Sequence, residues 1–240
     1  MLDERPNTAA STEDFEFTAL QEARNYRRAL LDDFSPWLKG RVIEVGAGIG
    51  QITGGLRGIP AITELLCVEP DAGFCRTFAR LNPAQQLIEG TLDKVSAEPA
   101  WDAILSINVL EHIRDDSHEL RACRERLRPG HGCLCLFVPA RPEIYAPIDL
   151  DFGHHRRYTR PELQAKLEVA GFDIVSLRYF NCVGYFAWWF NFRLLGKRHF
   201  DVASVRAFDR VVFPWVHQLE TRLVPPPFGQ SLMAVARARA

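Results

Sequence analysis

From about residue 40 to residue 140, short apolar runs alternate with longer stretches of helical spacing. "RVIEVGAG", "ITELLCVEPD", "QQLIEGTL", "WDAILSINVLEHI" and "HGCLCLFVPA" read as five strands. "QITGGLRG", "AGFCRTFARLN" and "SHELRACRERLRPG" supply helices between them. The strands are continuously apolar rather than alternating, as expected of a parallel sheet covered on both faces. Before this region, residues 15–39 place Phe17, Leu20, Tyr26, Leu30 and Leu31 on one face of a cap helix that stops at "SPWLKG". After it comes a polar loop, then a helix from Thr159 with Pro161 and Glu162 in its first turn. "DIVSLRYF" and "SLMAVARARA" are a sixth and a seventh strand, separated by an aromatic-rich insertion over 181–228. A connection of that length between strands points to a lid or binding element.

Composition narrows the picture only a little. The 240 residues are 47% hydrophobic, enough for a full core, and one domain over 15–240 with a disordered leader over 1–14 is expected. A formal net charge of -1 speaks against nucleic acid as a partner. The N-terminus lacks the basic and apolar regions of a signal peptide, and no apolar run reaches a membrane span. Cys67, Cys75, Cys123, Cys133, Cys135 and Cys182 form no C-x-x-C pair and read as reduced core thiols of a cytoplasmic protein.

The candidate chemistry begins in "VIEVGAGIGQIT". Gly46, Gly48 and Gly50 are spaced G-x-G-x-G, and Gln51 stands where a dinucleotide fingerprint needs its third glycine. No G-K-[ST] follows, so a phosphate-binding loop is also excluded. Glu69, at the end of the second strand, is placed to accept both hydroxyls of a ribose lying across the strand ends. Glu44, just before the glycine turn, is a buried acid that a cationic amino group would satisfy.

"VIEVGAGIG", "CVEPD", "WDAILSINVLEHI" and "LRPGHGCLCLFVP" resemble, in order and spacing, the signatures of class I S-adenosylmethionine-dependent methyltransferases. The resemblance implies a Rossmann-like three-layer α/β/α sandwich. Its seven-stranded sheet is mostly parallel, with the last strand antiparallel between the fifth and sixth. It also implies S-adenosyl-L-methionine as cofactor and S-adenosyl-L-homocysteine as product. By position, Glu44, Gly46, Ala47, Gly48 and Gly50 line the methionine part, and Glu69 with Pro70 takes the ribose. Thr91 and Leu92 flank the adenine, and Asn108 with Val109 faces the carbon chain. Tyr26 resembles the aromatic residue that closes over the cofactor in relatives with a leader helix; core packing is the competing reading.

Methyl transfer from a sulfonium needs orientation and dryness more than acid-base help, except where the acceptor is a hydroxyl or an acidic carbon. His112, at the rim of the fourth strand, is the candidate base or else a histidine that pins the loop. In "DLDFGHHRRYTRPEL", His154, His155, Arg156, Arg157 and Tyr158 border the acceptor pocket or are stitched to Asp149 and Asp151. Adjacent histidines lack the spacing of a helical ligand pair, so no metal is expected. Within "VGYFAWWFNFRLLGKRHF", Tyr185 and Trp188 are candidate acceptor contacts. Lid, peripheral membrane contact and dimer interface are all open for this segment.

This loop, "RYFNCVGY" and "PFGQSLMAVA" resemble a bacterial branch linked with glycan or isoprenoid-lipid metabolism. The expected activity is methylation of a small-molecule or lipid-like acceptor, with oxygen favoured, by a monomer or homodimer. The alternative is a cofactor-binding protein of this fold that does not methylate.

Overall fold

The computed structural model describes residues 22–222 and 226–240. The expected leader over 1–14, and the first residues of the cap helix, lie outside them.

The chain begins with helix α1 (Arg24–Phe34). It continues through β1 (Gly40–Val45), the short α2 (Thr53–Leu56), β2 (Ile62–Glu69), α3 (Ala72–Leu81), β3 (Leu87–Glu89) and β4 (Ala103–Ile107). Next come α4 (Asp116–Arg126), β5 (Cys133–Pro139), α5 (Pro147–Asp151), α6 (Arg160–Val169) and β6 (Phe172–Phe180). The insertion then folds as α7 (Cys182–Trp188), extended by a π-helical turn to Leu194, followed by α8 (Val202–Ala207) and α9 (Phe213–Arg222). β7 (Ser231–Ala238) closes the chain.

The seven strands form one sheet in the order β3-β2-β1-β4-β5-β7-β6. The first five run parallel, and β7 pairs antiparallel with both β5 and β6. This is the Rossmann-like arrangement expected of the sequence.

Period-2 alternation in the strands divides the core into two halves. Ile43, Val45, Leu66, Val68, Ile104, Leu134 and Leu136 face Leu120 and Cys123 of α4 and Leu163 and Leu167 of α6. Val42, Ala103, Leu105, Cys135, Phe137, Met233 and Val235 face Leu30 and Phe34 of α1 and Phe213 of α9. Because both faces are covered, a strand such as β5 is apolar at every position. Strand order reverses between β1 and β4, so their carboxyl ends open a crevice at the switch point where ligands bind in such sheets. All six cysteines are unpaired thiols. Among the described residues no helix is long and apolar enough to cross a membrane.

Candidate active site

Two cavities lie over that crevice. The smaller, about 300 Å³, is lined by Glu44, Gly46, Ala47, Gly48, Glu69, Pro70, Val109 and His112. Here β1 turns through glycines in the left-handed region, which side-chain-bearing residues adopt rarely: Gly46, Gly48 and Gly50 have φ of 73°, 54° and 90°. A Cβ on Gly46 would lie 2.2 Å from Cγ2 of Val109, so the turn is closed on its own neighbour as well as strained. The Glu69 carboxylate fixes the loop by accepting from the N–H of Gly48 at 2.8 Å and of Asp71 at 2.9 Å. The same carboxylate lines the smaller cavity.

Glu44 is 3% exposed. It accepts from the Thr53 hydroxyl at 2.6 Å and from the Cys67 thiol at 3.4 Å. Burial pushes it up to about 7, and these two donors pull the other way. Asn108 ends β4 in the left-handed region at φ 52°, a conformation uncommon for a side-chain-bearing residue and concentrated at functional sites.

The larger cavity, about 680 Å³, lies between the sheet and the insertion. Trp188, Phe192, Phe200, Phe208 and Phe213 supply much of its wall, while Glu111, His154, Arg157, Asn181 and Gln230 supply polar edges. Tyr26, Asn108 and Phe152 line both cavities and mark where they meet. Tyr26 shows the core packing considered for it. Its ring packs edge-on against Phe137 and Phe180 and tilts against Phe213, yet it also faces each cavity. Burial pushes its phenol far up, so it stays uncharged.

The histidine-arginine loop is divided by two buried acids. Asp149, wholly buried, holds the half that faces the cavity. Its Oδ1 accepts from Nε of Arg157 at 2.9 Å and lies 2.9 Å from Nδ1 of His154, and its Oδ2 accepts from the N–H of Ala146. Burial alone would raise Asp149, but His154 and Arg157 outweigh it and keep the carboxyl low. The Arg157 guanidinium also stacks 4.3 Å over the Trp188 ring. Asp116 draws the other half away: Arg156 pairs with it at 2.6 Å, and the fully buried Tyr158 hydroxyl donates to it at 3.0 Å.

Of the expected acceptor contacts, His154, Arg157 and Trp188 line the larger cavity, and His155, Arg156, Tyr158 and Tyr185 do not. Of the expected cofactor contacts, Gly50, Thr91 and Leu92 do not line the smaller one. Leu92 belongs to the core and Thr91 is exposed beside it.

His112 stands at the seam, its ring 4.7 Å from that of His154. Burial, with His154 and His155 nearby, lowers it to about 4, so the imidazole is neutral at ordinary pH. Sequence reasoning passed over Phe152 and Asp209. Phe152 sits inside the loop already singled out, but nothing in its spacing marks a residue shared by two cavities. Asp209 accepts from the N–H groups of Asn25 at 3.0 Å and Tyr26 at 2.8 Å, a pairing across 180 residues that local sequence does not show.

Comparison with known proteins agrees with this geometry. A family profile described as "Methyltransferase domain" matches residues 19–177. The ubiquinone biosynthesis O-methyltransferase of Dinoroseobacter shibae is 26% identical over 176 residues, 67% of this chain and 71% of that one. Its namesake from Pseudomonas putida is 27% identical over 188 residues, 68% and 79% of the two chains.

Among solved structures, an S-adenosylmethionine-dependent methyltransferase from Mesorhizobium loti superposes with a TM-score of 0.59 at 16% identity, covering 86% of this chain and 95% of that one. A second, from Archaeoglobus fulgidus, gives 0.57 at 16% identity over 91% and 93%. At such identities the superpositions speak for the fold alone, while the profile spans well over half of the chain. The chain therefore belongs to the methyltransferase domain family and has the fold of the S-adenosylmethionine-dependent methyltransferases it superposes on.

Proposed function

We propose that the enzyme methylates a hydroxyl oxygen of a small, lipid-like acceptor held in the larger cavity. The observation that carries this reading is the seam. A cavity with a carboxylate at the end of β2 and a glycine turn meets a larger aromatic one at Tyr26, Asn108 and Phe152. The residues of the smaller cavity fit S-adenosylmethionine: Glu44 and Glu69 offer carboxylates for an ammonium and a ribose, and the glycine turn between them brings bare backbone to the cavity wall. When bound, that cofactor supplies a methyl group on a cationic sulfur that departs as a thioether.

The protein's own part is orientation and dryness. Glu69 and the glycine turn hold the nucleoside end, and Glu44 takes the amino group. Tyr26 and the insertion over 181–228 shut out water, the insertion serving as lid of a single domain over 15–240. His154 and Arg157 present polar groups to the acceptor beside the aromatic wall. His112 keeps a lone pair at neutral pH and is where the hydroxyl proton is handled. It is a weak base, but an oxygen already bonding to a methyl carbon is far more acidic than a free hydroxyl. The relatives named as ubiquinone biosynthesis O-methyltransferases support oxygen as the acceptor atom.

The π-extended helix from α7 supports a lipid-like acceptor reached from a membrane surface. Gly184, Trp188 and Phe192 are buried, with Trp188 and Phe192 on the cavity, while Phe186, Trp189, Phe190 and Leu194 are 43–58% exposed on the other side. The decisive test is incubation with methyl-labelled S-adenosylmethionine and, separately, lipid and aqueous extracts. Label recovered as a methyl ether from the lipid extract is the expected result. Label confined to nitrogen or carbon, or to no acceptor in either extract, would sink the reading. Gly46→Ala should abolish S-adenosylhomocysteine binding in calorimetry, because the new methyl overlaps Val109.

A further inference from the structure

The loop after β5 folds back over the chain leaving β4 and sets three ligand-type side chains against one another at the seam. One nitrogen each of His112 and His154 and one carboxylate oxygen of Glu111 all lie within 4.8 Å of one another. Glu111 is fully buried and His154 is 6% exposed. The Asp149 carboxylate, 2.9 Å from Nδ1 of His154, keeps that nitrogen protonated and leaves the Nε2 lone pair facing inward. This Nε2 has no hydrogen-bond partner, and it stands 3.9 Å from Oε1 of Glu111, beyond hydrogen-bonding reach. His112 is oriented in the same manner, through a hydrogen bond to the backbone of Phe152. Two imidazole nitrogens and a carboxylate oxygen thus converge on one point, and one of them, Nε2 of His154, is buried without a hydrogen-bond partner.

We infer that Glu111, His112 and His154 form a binding site for a divalent transition-metal cation. Two imidazole nitrogens and one carboxylate are the donor set of zinc, iron(II), manganese or cobalt sites, whereas magnesium and calcium prefer oxygen. Asp149 behind His154 completes the carboxylate–histidine–metal relay that usually orients such a ligand, and Arg157 holds Asp149 in turn. Bond lengths of about 2.0–2.2 Å require the three donors to close up by roughly an ångström, within the reach of side-chain rotation.

Three protein ligands leave at least one coordination position. It faces the cavities, because Glu111 and His154 line the larger and His112 the smaller. An oxygen of the acceptor is the natural occupant; with the cation in place the His112 lone pair is coordinated, and the acceptor hydroxyl, acidified by the cation, gives its proton to solvent instead of to His112. That last step rests on the function proposed above, whereas the cation site rests on the geometry alone. The adjacency of His154 and His155 argued against a metal in the sequence. The fold instead uses one of them, with a Glu-His pair some forty residues upstream.

The test needs neither acceptor nor methyl donor. Protein stripped with chelator is titrated with cobalt(II) and followed by visible absorption. One equivalent per chain should bind with a ligand-field spectrum of mixed nitrogen and oxygen donors. Glu111→Gln and His154→Ala should each abolish it, and Asp149→Asn should weaken it by about 10–100-fold. His118→Ala, at a surface histidine paired with Asp93, should leave it unchanged. Circular dichroism and S-adenosylhomocysteine affinity establish that each variant is folded, so loss of the metal and loss of the cofactor are read separately. Absence of a cobalt spectrum, or a spectrum that survives in folded Glu111→Gln and His154→Ala, overturns the inference. The seam would then be neutralised by a shared proton.

Discussion

Glu44 is a carboxylate that folding places out of reach of water, with one hydroxyl and one thiol as donors. Burial raises it to about 7, and the nearby Glu69 adds to the rise. Between the ordinary carboxylate range and about 7, the folded protein therefore keeps a proton that the unfolded chain has lost. Its contribution to stability is fully present below that window, falls as pH rises through it, and is flat above. The size is on the order of 3 kcal/mol if the whole shift is expressed. Thermal unfolding without cofactor should show a melting temperature that declines from about pH 5 to about pH 7, with Glu44→Gln removing most of that decline. A bound ammonium would favour the ionised carboxylate, so S-adenosylhomocysteine should bind the wild-type more tightly as pH rises toward 7. Calorimetry showing equal pH dependence in Glu44→Gln would exclude Glu44 as the partner of the amino group.

At the scale of elements, α1 begins without a side-chain cap of its own, since its N-cap position is Ala23. The insertion supplies the missing acceptor: buried Asp209 takes the N–H groups of Asn25 and Tyr26, two of the orphan donors of the first turn. Arg27 reaches from the same helix to the carbonyl of Gln51 in the glycine turn. At the far end of the insertion, buried Glu220 accepts from the N–H groups of Asn181 and Cys182. The insertion, the leader helix and the glycine turn are thus tied by backbone hydrogen bonds to charged groups, which are among the stronger kind. Asp209→Ala should cost about 1–3 kcal/mol. Hydrogen exchange at Asn25 and Tyr26 should quicken by more than exchange in β4, with Asp209→Asn intermediate. A uniform change over the whole chain would show that Asp209 supports global stability only, without a specific tie to α1.

At the scale of the whole molecule, the order of elements was legible in the sequence because both faces of the sheet are covered, which makes β5 apolar throughout and leaves β4 with one polar residue, Ser106. The lining of the smaller cavity was legible for a related reason: Gly46, Gly48, Glu69 and Asn108 each sit at or just beyond the end of a strand. The division of "GHHRRY" was not, since it depends on Asp116 drawing Arg156 and Tyr158 one way while Asp149 holds His154 and Arg157 the other. Nor was the double face of the insertion, where one helix turns aromatic side chains both to a cavity and to solvent.

That outer face departs from an ordinary surface on a chain of formal net charge -1. Phe186, Trp189, Phe190, Leu194 and Leu195 are exposed within ten residues, and Arg193 and Lys197 stand among them. Aromatic rings at headgroup depth with cations beside them match an anionic interface. The protein should therefore float with vesicles containing anionic phospholipid and be released by salt. Trp189→Ala with Phe190→Ala should reduce flotation several-fold while leaving S-adenosylhomocysteine affinity unchanged, since neither residue lines the smaller cavity. If the protein stays off the vesicles and instead sediments as a dimer that these substitutions split, the face is an interface between two copies. The acceptor would then have to reach the larger cavity from solution.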